Sequence, residues 1–238
     1  MAPARPYVSA SGWTMTRARR TIGEGGGAPR RMALRARKAA TSRALVRNIC
    51  VYCGSNTGTN PAYAEAARRL GKAAAEEGIG LVYGGGGLGL MGELARAAIA
   101  HGGRVTGIIP AFLSEKERML READELVVVE DMHQRKKLMF ERADAFVALP
   151  GGYGTLDEFC EVLTWAQLGL HQKPCGLLNV DGYFNDLLAL FKHALKEGFL
   201  HPIHSTLVLA ESDPQKLLEL VLSSRVPRLD KWLDRTEV

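Results

Sequence analysis

The stretch Ala148-Leu-Pro-Gly-Gly-Tyr-Gly-Thr-Leu-Asp-Glu158 joins an apolar run to a helical pattern through a glycine-rich loop. Its glycines allow the main chain to turn sharply and to expose its N–H groups. Thr155 is a residue type that caps helices, so it is predicted to be the N-cap of the following helix. The helix dipole and the free N–H groups of the first turn favour an anion such as phosphate. Glu158 is then expected in the first turn beside that anion, in a chemical role.

The chain around this loop alternates short β-rich runs with helical patterns from Asn48 onward, as βαβ units of a parallel sheet do. The predicted fold is α/β: a single-domain, Rossmann-like, doubly wound and mostly parallel sheet of about seven strands. We expect strands at 49–52, 80–83, 104–109, 126–129, 145–149, 175–178 and 206–209. We expect helices near 61–77, 90–101, 132–143, 155–168, 183–196 and 214–222.

Three loops leave the carboxyl ends of predicted strands, where open parallel sheets bind their ligands. They are 54–56 after the first strand, 84–89 after the second and 150–155 after the fifth. The sequence therefore predicts that these three loops meet at one site.

Length and charge separate a folded body from a basic extension. At 238 residues with 46% hydrophobic residues, the chain can bury one sizeable core, which argues against a second full domain. Residues 1–47 hold ten Arg, one Lys and one Glu, a net charge of +10, whereas the whole chain carries +5, which leaves −5 for the remainder. We predict a disordered extension at 1–46, a folded domain at 47–224 and a tail at 225–238.

Three interpretations of the basic extension are open, and two of them give it a function. Its Arg-rich, acid-poor composition is typical of transit peptides and of nucleic-acid-binding arms. The reading we favour is a dispensable extension, with Met15 or Met32 as later starts. No run of 18 apolar residues occurs, so no membrane span is predicted.

The four cysteines are too few for a disulfide framework. Cys50 and Cys53 are three apart in a predicted strand, which sends their side chains to opposite faces and argues against a metal site. We therefore expect a reducing, cytoplasmic compartment and no metal.

The glycines Gly87, Gly89 and Gly92 fit the spacing of a dinucleotide-binding loop. They follow the second strand, however, and the next strand ends in Gly107-Ile-Ile-Pro110 without an acid for a ribose hydroxyl. This favours a mononucleotide phosphate or ribose over NAD, and close packing of strand and helix stays an alternative.

Arg135 lies near the start of the helix after the fourth strand. Its planar guanidinium suits phosphate or carboxylate, and a cation near a helix N-terminus suggests an anion there. Lys137 fits an ordinary solvated face, and His133 fits either a general acid or base or a structural histidine.

Residues 150–158, together with 132–136 and 51–55, resemble the LOG ("lonely guy") family of cytokinin riboside 5′-monophosphate phosphoribohydrolases. Many members of that family were once labelled lysine decarboxylases. The resemblance runs from about 49 to 221, and stretches 81–86, 89–92 and 164–169 add to it. Gly87 departs from the family pattern, since many relatives carry Ser there.

The resemblance implies hydrolysis of the N-glycosidic bond of a purine nucleoside 5′-monophosphate, giving free base and ribose 5-phosphate without a cofactor. It implies a homodimer, or a higher oligomer, with sites close to the subunit boundary. Arg135 and Glu158 match the family's catalytic pair. The matched substrate-binding positions are Ser55, Gly85, Gly86, Glu117, Met132, Lys136, Gly152, Tyr153, Gly154, Thr155, Leu156, Asp157 and Thr164.

The residues support this chemistry on their own terms, because a carboxylate near the ribose can stabilise an oxocarbenium-like state or orient the attacking water. Arg135 could hold Glu158 ionised or clamp the leaving group. The alternatives left open are a non-catalytic nucleotide carrier or sensor, an NAD-linked enzyme, and a nucleic-acid-binding role for the extension. The preferred base, a cytokinin or adenine, stays open.

Overall fold

Seven short strands form one parallel sheet in the computed structural model, which describes residues 46–114 and 118–226. The strands are β1 (Asn48–Tyr52), β2 (Gly80–Tyr83), β3 (Val105–Pro110), β4 (Glu125–Val129), β5 (Ala145–Ala148), β6 (Cys175–Leu178) and β7 (Val208–Glu211). The predicted α/β class and strand number are confirmed. The predicted extension and tail lie almost wholly outside the described residues, so the domain bounds stay a prediction.

The strand order is β4-β3-β2-β1-β5-β6-β7. β1 lies in the centre, where Ile49 pairs with Leu81 of β2 on one side and with Ala145 of β5 on the other. The order reverses between β1 and β5, and this is the place where an open sheet leaves a crevice for a ligand.

Helices cover both faces of the sheet. They are α1 (Pro61–Glu76), α2 (Gly89–Ala100), the short α3 (Ala111–Ser114), α4 (Met132–Arg142), α5 (Tyr153–Gln167), α6 (Asn185–Lys196) and α7 (Pro214–Ser223). Polar side chains cap three of them: Asn60 before α1, Asp131 before α4 and Asp213 before α7 accept bonds from first-turn N–H groups.

Two layers of apolar side chains, one on each face of the sheet, make up the core. One layer contains Val51 and Cys53 and packs under α1, α2 and α7. The other contains Cys50 and Phe146 and packs under α4 and α5. Cys50 and Cys53 therefore lie on opposite faces, as their spacing predicted.

Several element boundaries differ from the prediction by one or two residues, and one short helix is additional. The seventh strand begins at Val208, because Pro202–Leu207 forms a 3-10 helix in which the Ser205 and Thr206 hydroxyls donate back to main-chain carbonyls. α6 begins at Asn185, after a separate 3-10 turn at Val180–Gly182. The short α3 was not predicted at all.

The described helices also bear on the membrane question. None of those within residues 46–114 and 118–226 combines the length and apolar character that a bilayer crossing requires.

Candidate active site

A cavity of about 270 Å³ opens at the carboxyl ends of β1, β2 and β5. Its lining comes from four separate parts of the chain: 51–55, 84–91, 132–139 and 152–158. This is the crevice at the reversal of strand order, and its volume is near the lower limit for small-ligand pockets. The loops predicted to meet at one site do meet here.

The loops after β1 and β5 are bonded directly to each other. Gly54 N–H donates to the Pro150 carbonyl (3.0 Å), and Leu90 N–H at the start of α2 donates to the Gly54 carbonyl (3.1 Å). A Cβ on Gly151 would lie 2.8 Å from Gly54 N, so only glycine permits this approach. One rigid main-chain unit therefore forms the floor of the cavity.

The N-terminus of α5 forms one wall. The helix begins at Tyr153, and its N-cap is Gly152, which carries no side chain that could accept from the first-turn N–H groups. These groups have no acceptor within the helix, which leaves them for a ligand. The wall thus has the donors that an anion requires.

Two expectations about this helix were wrong. Thr155 is the third helical residue and is buried, and it is not the N-cap; a Cβ on Gly151 would overlap its Oγ1. The helix begins earlier because Gly152 takes the extended N-cap conformation itself. Glu158 consequently lies in the second turn and not in the first.

Glu158 lines the cavity and is only 9% exposed. It lies on the side of Cys50 and Tyr52 in β1, two further groups that burial keeps neutral. Burial, with a smaller contribution from the Glu158 carboxylate, raises the pKa of Cys50 well above its usual value. Burial also raises the pKa of Tyr52, to which Cys50 and then Glu158 contribute. On the side of β1, the carboxylate therefore has two neutral groups nearby.

Arg135, the fourth residue of α4, is 7% exposed and lines the same cavity. Its Nε donates to the Ile108 carbonyl at the end of β3 (3.2 Å), and Nη2 donates to the Gly84 carbonyl after β2 (3.1 Å). A Cβ at Gly84 would overlap this guanidinium. Since arginine has five N–H donors, these two bonds fix its plane and leave donors for a ligand.

Lys136 turns away to the outside of the cavity. Its Nζ forms ion pairs with Asp157 and Glu161 of α5, both at 3.1 Å. Burial alone would lower the pKa of Lys136, but the two carboxylates more than offset this and raise it. In the single chain this lysine therefore ties α4 to α5.

The cavity brings together nine of the fifteen predicted site residues. These are Ser55, Met132, Arg135, Gly152, Tyr153, Gly154, Thr155, Asp157 and Glu158. Lys136, Leu156, Thr164, Gly85 and Gly86 lie outside its lining, and Glu117 lies outside the described residues. The catalytic and substrate-binding roles of all fifteen residues stay predictions.

The predicted site residues leave out seven residues that line the cavity: Val51, Tyr52, Cys53, Gly54, Gly84, Met91 and Met139. A signal existed for Met139, because Met132, Arg135 and Met139 recur at helical spacing and so share one face of α4. Gly84 belongs to one of the three loops predicted to meet at the site, but no local pattern indicated its contact with Arg135.

Close packing accounts for the glycines of the second glycine loop. Gly87 N–H donates to the Arg118 carbonyl (2.9 Å). A Cβ on Gly89 would overlap the Ser55 main chain, and one on Gly92 would overlap the Gly87 carbonyl. Gly89 and Gly92 therefore require glycine whether or not a nucleotide binds, and the glycine spacing of this loop gives no support to NAD.

Comparisons with known proteins identify chains that are similar to this one. A family model described as "Possible lysine decarboxylase" matches residues 91–221. Cytokinin riboside 5′-monophosphate phosphoribohydrolase LOG7 of Arabidopsis thaliana is 50% identical over 178 residues, 74% of this chain and 82% of that protein. LOG1 of the same plant is 46% identical over 185 residues, 78% of this chain and 86% of that protein.

A solved structure, the molybdenum cofactor binding protein of Rippkaea orientalis, is more distant. It is 26% identical, and the match covers 74% of this chain and 95% of that one with a TM-score of 0.57. The plant proteins are thus far closer in sequence than this structural neighbour.

Proposed function

Because the chain belongs to the LOG family of cytokinin riboside 5′-monophosphate phosphoribohydrolases, we propose that it hydrolyses adenosine 5′-monophosphate or its N6-modified forms. The products are the free base, adenine or an active cytokinin, and ribose 5-phosphate. The chain is an enzyme of the N-glycosyl hydrolase class. The proposal covers both possible bases, unmodified adenine and adenine modified at N6.

One observation carries the mechanism: Arg135 and Glu158 are both more than nine-tenths buried and both line the cavity beside the N-terminus of α5. A buried charge is costly unless it has a partner or a task. We propose this pair as the catalytic residues.

The 5′-phosphate is assigned to the N-terminus of α5. The main-chain N–H groups from Gly152 to Thr155 and the helix dipole suit a dianion. Fixing the phosphate also fixes the ribose, since the two are joined through a single methylene group. Binding energy from the phosphate then serves to position the bond that is cleaved.

Glu158 is assigned to the sugar. As the C–N bond breaks, positive charge develops on C1′ and the ring oxygen, and a nearby carboxylate stabilises it. The same carboxylate can orient the water whose oxygen bonds to C1′, while the base leaves with the bonding electrons and takes a proton. Glu158 lies less than one helical turn beyond Thr155, the last of the phosphate donors, and it lines the cavity.

Arg135 is assigned to electrostatic positioning within the site. Its two bonds to main-chain carbonyls preorganise the guanidinium before substrate arrives, so little reorganisation is needed during the reaction. Its remaining donors can hold the Glu158 carboxylate ionised or contact the substrate.

Incubation with AMP and with isopentenyl-AMP tests the proposed activity. We expect free base and ribose 5-phosphate in equal amounts, measured by liquid chromatography and a reducing-sugar assay. If both nucleotides bind in calorimetry and neither is cleaved, the chain is instead a nucleotide carrier or sensor.

We also propose a homodimer in the cytoplasm. Support for the dimer comes from apolar side chains that one chain leaves exposed around α6, namely Leu170, Leu190, Phe199 and Ile203, while α6 itself has no buried residue. Support for a reducing compartment comes from the four cysteines, all of which are free thiols.

A further inference from the structure

A side chain outside the cavity holds the main chain of the glycine loop. The Tyr183 hydroxyl, in the turn between β6 and α6, donates to the Gly151 carbonyl at 2.6 Å. The preceding carbonyl, that of Pro150, accepts from Gly54 N–H. Two consecutive carbonyls of the loop are therefore held, one by the main chain of the cavity floor and one by a side chain outside the cavity lining.

The bond to the Gly151 carbonyl also sets the direction of the next N–H group. The peptide unit between Gly151 and Gly152 is planar and trans, so its C=O and N–H point in opposite directions. Because Tyr183 holds the Gly151 carbonyl, the Gly152 N–H points away from Tyr183, and Gly152 itself lines the cavity. Without this bond, two adjacent glycines could rotate the peptide with little steric hindrance.

The turn that carries Tyr183 has a strained main chain, and this conformation helps to place the tyrosine. Asp181 has a φ of +47° and Gly182 a φ of +74°, so the chain passes through two left-handed residues just before the tyrosine. For aspartate this conformation is unfavourable, and such strain concentrates at functional positions. The Asp181 carboxylate accepts from Asn60 Nδ2 at 2.8 Å, which ties the turn to the N-cap of α1.

The tyrosine ring is fixed as well. The ring of Tyr63 meets it edge-on with centroids 5.5 Å apart, and Phe184 meets it edge-on at 5.0 Å. Such aromatic pairs hold the ring plane and hence the direction of the hydroxyl. The strained turn, the ring packing and the hydrogen bond thus together determine the position of the Tyr183 hydroxyl oxygen.

We propose that Tyr183 is a positioning residue for the phosphate: through the Gly151 carbonyl, it orients the Gly152 N–H group toward the 5′-phosphate of the substrate. This inference rests on the proposed function, since it presumes that the loop receives the phosphate. Tyr183 itself touches only protein.

Tyr183→Phe tests the inference, because it removes the hydroxyl and keeps the ring that packs on Tyr63. The matched control is Tyr63→Phe, which removes a hydroxyl from the neighbouring ring and leaves the bond to Gly151 intact. Dissociation constants are measured by calorimetry for AMP and ribose 5-phosphate, and by competition for adenosine, which lacks the phosphate.

We expect Tyr183→Phe to weaken AMP and ribose 5-phosphate about fivefold to tenfold, the effect of one well-placed hydrogen bond, with adenosine unchanged. In turnover, KM for AMP rises by the same factor at nearly constant kcat, as for binding shared by ground and transition states. The control variant binds all three ligands as the wild type does.

Two results would overturn the inference. Equal weakening of AMP and adenosine would assign Tyr183 a general structural role, and unchanged AMP binding would assign it none. The binding measurements do not depend on turnover. If the wild type binds AMP but cleaves nothing, the phosphate-specific loss still supports the positioning role while the proposed hydrolysis fails.

Discussion

Glu158 and the nearby Glu161 differ in what surrounds them, although both are glutamates of α5. Glu158 is buried at the cavity, whereas Glu161 forms an ion pair with Lys136 at the side of the helix. Variants of the two glutamates therefore distinguish the loss of a carboxylate at the cavity from the loss of a carboxylate elsewhere on α5.

Glu158→Gln is expected to lower kcat for AMP by at least about a hundredfold, since the neutral amide cannot stabilise positive charge on the ribose or activate water. AMP binding should stay within about threefold, because the phosphate donors are main-chain groups. Steady-state kinetics and calorimetry measure the two effects.

Glu161→Gln is the matched control and should keep nearly full turnover. If Glu158→Gln retained a wild-type kcat, the carboxylate would have no part in the chemistry.

For single residues, the sequence indicated which side chains suit the chemistry of the site, but it did not indicate which groups they contact. Arg135 was recognisable as an anion-binding type at a helix start, but its main-chain partners at Gly84 and Ile108 lie 51 and 27 positions earlier in the chain. Such distant contacts depend on strand order, which local patterns do not encode. Lys136 illustrates the same limit, since its two acidic partners belong to another helix.

At the scale of elements, the connection from α5 to β6 contains a buried histidine outside the active site. The His171 Nε2 lies 2.8 Å from the Val162 carbonyl, and Nδ1 accepts from Lys173 N–H at 3.0 Å. The ring therefore carries its proton on Nε2 and is neutral. Burial lowers the pKa of His171, and the nearby Lys173 charge adds to this, against the opposing effect of the Val162 carbonyl.

The stability of the fold should consequently decrease in mild acid. Below the ordinary histidine pKa of about 6.5, the unfolded chain takes up a proton that the folded chain resists, so the free energy of unfolding falls. We expect a loss on the order of 1 kcal/mol from this group between pH 7.5 and 5.5, measured by urea denaturation at both pH values.

His171→Gln should show a smaller loss over the same interval, whereas His133→Gln, on the exposed face of α4, should behave as the wild type does. An equal pH dependence in wild type and His171→Gln would assign the effect to other groups.

The elements themselves were largely predictable, because hydrophobic period and turn residues are local properties. The errors occurred where the main chain adopted a conformation that the local residue types did not indicate. Gly152 took the N-cap position for which Thr155 was the better residue type, and an extra turn at Asp181 delayed α6. Both exceptions lie around the cavity, where a ligand-binding requirement competes with local preference.

At the scale of the whole molecule, the proposed dimer has a measurable signature. Light scattering should give a molar mass twice the 25.9 kDa of one chain. Phe199, 83% exposed, is expected to lie in the interface, so Phe199→Lys should shift the equilibrium toward monomer by burying a charge.

Leu220→Lys on α7, against the opposite face of the sheet, is the matched control and should leave the dimer intact. A wild-type chain that elutes as a monomer at micromolar concentration would contradict the proposal.

The central position of β1 has a consequence for how the protein acquires its activity during synthesis. β1 is the first of the described strands to be synthesised, yet its pairing with β5 joins Ile49 to Ala145, and the cavity exists only after that pairing. Contacts so far apart in sequence form late, since closing a long loop costs chain entropy before it gains contacts. A nascent chain that ends before β5 therefore leaves one edge of β1 unpaired and lacks the cavity, so activity requires the pairing of β1 with β5.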